Sequence, residues 1–370
     1  MESILKQELR EQAGTESYNR YEYQMSWAVY HMLKKYKNNE KFIIFCEYHD
    51  DVAESGFCSS PYCMEFFQIK TTKKGNFTLD KLTYKPAKKQ HSFLGYLFFN
   101  FLKFGSSCEK CHFVGNKDFD EDIKNWQTVV QDNNSLKKKN KALYDKVKNK
   151  IKYEYKNSPE GLPTNFDDIF DRFIQNTFIT KSELPLETHD NYIRAEFFDA
   201  LKFKTIETNT AHLIFETIIN EVRKKARSKI NPPISFKELS NKKGISSDIF
   251  NSIESFKKDL SRNIIGDIED FLKSEGYSLP KIRLFIRTYK EHIKRQLDVS
   301  NTLYNDLIIS YKILCNNFIN NNNDIIDNFQ LLNQQISIEI YQFLKENEHP
   351  YINKNLLEVL FYETLLSTED

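Results

Sequence analysis

Two short apolar runs with polar residues at their ends constrain this chain more than any other feature: FIIFCEYHDDV at Phe42–Val52 and EFFQIKT at Glu65–Thr71. Runs of this length, rich in Phe and Ile and bounded by polar segments, predict strands. On a strand, residues two apart share a face, so Gln68 and Lys70 project together while Phe67 and Ile69 turn to the other side. Asp50 and Asp51 close the first apolar run. If the two strands are neighbours, a carboxylate, an amide oxygen and an ammonium converge. Hard oxygen ligands of this kind suit Mg²⁺ held against a phosphate ester, and a lysine beside them can orient attacking water and stabilise developing negative charge. A tandem Asp after a strand is otherwise an ordinary turn or cap. The Gln-x-Lys on an otherwise buried strand gives the pair a purpose, because an amide and an ammonium are costly to bury without partners.

The order of elements and motifs resembles the PD-(D/E)XK phosphodiesterase superfamily, in the Mrr-like variant where Gln replaces the second acid. The stretch REQAGTESYNRYEYQMSWAVYHMLKKY, followed by FCEYHDDV and FFQIKT, is similar to the N-terminal double-stranded DNA endonuclease domain of bacterial anti-phage effectors. Such domains occur in cyclic-oligonucleotide (CBASS) systems, in Lamassu systems beside an SMC-like ATPase, and beside HerA-like ATPases. The similarity spans roughly residues 8–240. It implies a restriction-endonuclease-like α/β fold, a Mg²⁺ or Mn²⁺ cofactor, and catalytic positions at Asp51, Gln68 and Lys70. Glu22 matches an acid often supplied by the first helix. Asp51 is favoured over Asp50 because an acid followed by a branched apolar residue, here Val52, is the commoner pattern. The implied metal set is therefore Asp51, Gln68 and Glu22, with Asp50 as a further candidate. Glu22 also reads as an outward-facing residue of an amphipathic helix carrying Met25, Ala28, Val29 and Leu33.

At 370 residues the chain exceeds one typical domain, and 40% hydrophobic with 14% aromatic content argues for packed cores. No run of eighteen apolar residues exists, so no membrane span is expected. The N-terminus MESILKQELREQ lacks the apolar stretch of a signal peptide, and a cytoplasmic location is expected. With a net charge of only +1, any DNA affinity must come from local patches. Cys58 with Cys63 and Cys108 with Cys111 could form a zinc knuckle. The first spacing and the missing glycine-rich loops make reduced thiols the expected state.

Along the chain, 17–37 predicts a helix, 42–50 and 63–72 strands, Ser92–Phe104 a helix buried against the sheet, and CHFVGN a third strand, which makes that helix a crossover. Leu136–Lys156 carries nine lysines against one Asp and one Glu, with Leu143, Val147 and Ile151 on one face. It reads either as a solvated helix or as a phosphate-tracking one; Lys137, Lys138 and Lys139, with Lys73 and Lys74 after the Gln-x-Lys strand, are the candidate DNA contacts. Asp167, Asp168 and Asp171 fit a helix N-terminus rather than a ligand set. Pro232 and Pro233 mark a boundary between a nuclease domain, 1–235, and an all-α domain, 236–370.

The C-terminal domain is too short and too helical for a cyclic-nucleotide sensor, and the chain carries no phosphate-cradling P-loop. It suits partner docking or oligomerisation. The expectation is an effector endonuclease that cuts double-stranded DNA, controlled by an SMC-like ATPase of Lamassu type or by a HerA-like one, and active as a homo-oligomer, since one site cuts one strand. A scaffold subunit with a decayed nuclease fold and a sequence-specific restriction enzyme are the alternatives.

Overall fold

The computed structural model describes residues 13–56, 63–202, 208–250, 253, 264–296, 302–326 and 328–367. Cys58, and so half of the first cysteine pair, lies outside them. Compactness divides the chain into one unit of Met1–Ala200 with Val222–Ser247 and a second of Leu201–Glu221 with Asp248–Asp370.

The first unit is built on a six-stranded mixed sheet in the order β5-β4-β3-β2-β1-β6. Its strands are β1 Phe42–Tyr48, β2 Asp50–Gly56, β3 Met64–Lys70, β4 Cys108–Gly115, β5 Thr177–Lys181 and β6 Gly244–Ser246. Helix α1, Ala13–Lys37, packs on β1 and β3. The sequence reading needs one correction here: Asp50 and Asp51 do not end the first strand but open a second. Glu47 and His49 adopt left-handed backbone angles (φ 54° and 61°), which reverse the chain around Tyr48. The chain then returns antiparallel, with Cys46 opposite Val52 and Tyr48 opposite Asp50. Neither residue is Gly or Asn, so the usual turn signal is missing. Non-glycine residues in this region cost about 1 kcal/mol or more each, and such strain gathers at functional sites.

After β3, the short helix α2 (Leu79–Thr83) leads to α3 (Phe93–Phe104). Ser92 caps α3 by accepting from Gly95 N, and Gly105 at φ 54° ends it. α3 packs on β3 and β4, and β4 pairs parallel with β3, so α3 is the crossover that the apolar run Ser92–Phe104 predicts. The core beneath it is aromatic. Phe98 is fully buried, with its ring 4.8–6.4 Å from those of Tyr155, Phe166, Phe170 and Phe173.

The opposite face of the sheet holds a polar layer. Glu54 and Glu65 are direct partners across β2 and β3. Glu54 is bound by His31 and Lys35 at 2.7 and 2.5 Å, and Glu65 by His112 and Lys110 at 2.8 and 2.7 Å. Burial works against ionising Glu65, but the hydrogen bonds and charges of His112 and Lys110 outweigh it and hold its carboxyl at about 2. A depressed carboxyl pKa contributes stability that is present above the unfolded value, near 4.3, and lost as pH falls through the folded one. Glu65→Gln is therefore expected to cost up to about 3 kcal/mol at neutral pH, with the deficit closing between about pH 4 and 2. Urea titrations of both proteins across that window check it. A pH-independent difference would show that the ion pairs carry none of the stability.

The second unit's described residues are helical: Ile264–Ser274, Leu279–Gln296, Thr302–Asn321, Phe329–Glu346 and Lys354–Ser367. Lys354–Ser367 is buried on all sides from Leu356 to Leu365, as expected of a helix apolar around its circumference. Tyr362 packs against Phe271, Phe285 and Phe329, and Tyr311 donates to Leu357 O at 3.0 Å. Two of its buried acids face cations: Glu363 is met by Lys312 at 2.8 Å and Glu358 by Lys354 at 3.5 Å. No helix among the described residues is long and apolar enough to cross a membrane.

Candidate active site

β2 and β3 run antiparallel with Val52 opposite Phe67 and Ala53 opposite Phe66. That register ends at Val52, and beyond it Asp51 reaches β3 through its side chain while Asp50 reaches α3 through Asn100. Phe66 stacks on Phe104 at the end of α3, and Lys70 Nζ lies 5.9 Å from the Phe93 ring at its start, so Gln68 and Lys70 face α3. Phe67 packs on Trp27 and His31 of α1 on the other side, as the alternation requires.

The polar atoms converge at the end of this strand pair. Asp51 Oδ2 accepts from Ile69 N at 2.7 Å and from Lys70 Nζ at 2.8 Å. Gln68 is 4% exposed, and its Oε1 is buried with no hydrogen-bond partner. A buried amide oxygen left unsatisfied costs about 1–3 kcal/mol, so one beside an ionised carboxylate marks a place for a ligand. Asp50 Oδ1 accepts from Asp51 N at 3.0 Å and Oδ2 from Asn100 Nδ2 at 3.1 Å. Burial and then the adjacent Asp51 charge push the Asp50 carboxyl up to about 7. Burial, with Asp51 again second, also raises Glu47. Lys70 thus bonds Asp51 and acts on the neighbouring Asp50 and Glu47 carboxyls, with Lys243 acting on Glu47 as well.

Asp51, Gln68, Lys70 and Asp50 are brought together. Glu22 is placed differently: its Oε2 accepts from Arg223 Nε at 3.1 Å and from Arg223 Nη2, and its Oε1 is buried without a partner. Among the described residues it has no bond to Asp51, Gln68 or Lys70. Two residues escaped the sequence reading. Asn100, 2% exposed, anchors Asp50, and the signal for it was present, since it is the lone amide in the apolar run FLGYLFFNFLKF. Arg223 gave no local signal, because its partner is 201 residues away.

After α4 (Glu121–Gln131), the lysine-rich stretch folds as α5 (Leu136–Lys139) and α6 (Lys141–Lys156). Much of its charge is already met. Lys137 pairs with Asp171, Lys146 with Asp122, Lys148 with Asp167 and Lys150 with Asp80, at 2.6–3.0 Å. Asp167 and Asp171 lie on α7, Phe166–Gln175. Lys73 pairs with Glu16 at 3.0 Å. Lys74, Lys138 and Lys139 are exposed and have no ion pair among the described residues.

The cysteines give no metal cage among the described residues. Cys108 and Cys111 are buried on β4 with Sγ atoms 3.6 Å apart, and burial raises the Cys111 thiol well above its ordinary value. Cys46 and Cys315 are buried and free.

A mixed α/β sheet with acids, an amide and a lysine gathered at two neighbouring strands fits an α/β nuclease domain, and the family match shows that class. Residues 12–226, more than half of the chain, match the family described as Cap4, dsDNA endonuclease domain, and the chain belongs to that family. No curated protein matches it.

Proposed function

We propose that this chain is an effector nuclease of bacterial anti-phage defence that hydrolyses phosphodiester bonds of duplex DNA with Mg²⁺ or Mn²⁺. The observation that carries the reading is the Asp51 and Lys70 pair at 2.8 Å beside the orphaned Gln68 Oε1. The donor set fits a small hard cation: one ionised carboxylate, one amide oxygen, and room for a second carboxylate from Asp50. Mg²⁺ characteristically takes one or two carboxylates and completes its shell with water and phosphate. When bound, the cation supplies Lewis-acid polarisation of the scissile phosphate.

The protein's own groups do the rest. Asp51 holds Lys70 at the end of the interior strand β3, where an ammonium with three donors has protons left for a phosphate oxygen and the attacking water. Asn100 fixes Asp50 through a bond to its Oδ2. The raised Asp50 carboxyl offers a group that carries or accepts a proton near neutral pH. Glu22 is held by Arg223 through Oε2, and its unpartnered Oε1 is the atom it would offer the cation.

The helical unit is proposed to dock a partner, an SMC-like ATPase of Lamassu type ahead of a HerA-like one, and to bring two nuclease sites together on opposite strands. Cleavage of supercoiled plasmid tests the metal reading. Chelation by EDTA is expected to abolish cutting, and excess Mn²⁺ or Mg²⁺ to restore it; cutting that persists in EDTA would overturn metal dependence. Sedimentation of the active form, alone and with the products of adjacent genes, tests assembly, and an active monomer at all concentrations would sink it.

A further inference from the structure

The connection from β3 to α3 differs in charge from the lysine-rich helices. Lys74, Lys85, Lys88 and Lys89 all lie on it, and none has an ion pair among the described residues. This connection and α6 enclose an open cleft of about 710 Å³. Thr83, Tyr84 and Lys85 line one side, and Asn149, Tyr153 and Asn157 the other. Tyr84 is 68% exposed and Tyr153 74% exposed. Neither ring packs on another aromatic ring or a cation among the described residues. Large aromatic rings ordinarily bury their faces, and two of them left open at one cleft mark a surface that awaits a ligand.

The cleft borders the candidate site. Glu154, which also lines it, accepts from His91 Nδ1 at 3.0 Å and from Ser92 N at 2.8 Å. Ser92 caps α3, and the next residue, Phe93, lies 5.9 Å from Lys70 Nζ. The start of one helix therefore separates the cleft from the Lys70 ammonium.

We infer that this cleft takes an unstacked nucleobase of the bound DNA strand, with Lys85 at its rim on a neighbouring phosphate. The inference rests on the DNA-cleaving reading above and adds a second point of contact to it. The unpaired lysines complement a polyanion. The two rings offer stacking faces that any base can use, and Asn149 offers an amide for a base edge, while Asn157, whose Nδ2 donates to Tyr153 O at 2.8 Å, offers its Oδ1. A lysine surface alone would suit phosphates and would not need the tyrosines.

Fluorescence anisotropy with the full chain in EDTA tests this, using a labelled blunt hairpin duplex and the same hairpin with a short thymidine extension. The wild type is expected to bind the extended hairpin more tightly than the blunt one. The double variant Tyr84→Ala with Tyr153→Ala should lose about 10-fold or more on the extended hairpin, the worth of one base stack, and little on the blunt one. Tyr84→Phe with Tyr153→Phe should keep the preference, which separates stacking from misfolding. Equal binding of the two hairpins by the wild type, or an alanine variant that retains the preference, would overturn the inference. A chain that prefers the extension through its tyrosines yet never cuts with Mg²⁺ or Mn²⁺ keeps the cleft and loses the nuclease. A chain that cuts but ignores the tyrosines loses only the cleft.

Discussion

Replacing Lys70 with alanine is expected to lower cleavage of supercoiled plasmid by roughly 10²–10³-fold, the usual effect of removing one preorganised donor from a developing anion. DNA binding should weaken far less than cutting. Lys70 bonds Asp51 at 2.8 Å, and its charge also acts on Asp50 and Glu47. Its removal takes away the donor to phosphate and also leaves Asp51 uncompensated against a polyanion. Lys70→Arg is a sharper probe. It keeps the charge but brings a planar fork that a site shaped around a point charge does not fit, so it too should cut poorly. Asp51→Asn should be as damaging, through loss of the carboxylate ligand, and excess Mn²⁺ should rescue it in part. If Lys70→Ala cuts within a few fold of the wild type, the chemistry lies elsewhere. If neither the wild type nor any variant cuts under any condition while DNA still binds, a scaffold with a decayed nuclease fold becomes the better description.

The second large effect is on stability. Phe98→Ala should destabilise the first unit by about 3–5 kcal/mol, the range for truncating a buried aromatic. The site argues for the upper part of the range. Phe98 is fully buried, and the four rings around it come from two neighbouring helices, Tyr155 from α6 and Phe166, Phe170 and Phe173 from α7, so collapse into the void would require both to shift together. Because the chain has two compact units, unfolding should be followed by a probe local to the first, such as hydrogen exchange along α3. A loss below about 1 kcal/mol would mean that the aromatic cluster is not the packing centre it forms in the structure.

How much of this was legible follows from where each signal resides. Gln68 and Lys70 share a face because strands alternate, which the letters alone dictate. The crossover helix was legible because Ser92 and Gly105 punctuate a continuous apolar run. β2 was not recognised as a strand of its own, since Glu47 and His49 take left-handed angles without being the residues that advertise a turn. β5 and β6, five and three residues long, owe their existence to pairing with strands already in place, and short runs carry no period to detect. The lysine-rich stretch showed its charge but not its partners: Asp80, Asp122, Asp167 and Asp171 neutralise it from elsewhere in the chain. The same limit hid Arg223, which fixes Glu22 across 201 positions.

β6 has a bearing on how the molecule can be cut for study. It pairs with β1 through Ile43 to Phe45, and the helix before it, Phe236–Lys243, sends Lys243 Nζ to Cys46 O at 3.1 Å and Ala226 O at 3.0 Å. A fragment stopped at residue 226, where the family match ends, would strip β1 of that neighbour. The flat apolar edge then bared is the kind that recruits strands from other molecules. Soluble nuclease fragments should therefore run through at least Ser247. During synthesis the same edge waits some two hundred residues for its cover, an interval in which a nascent chain of this sequence is most exposed to aggregation.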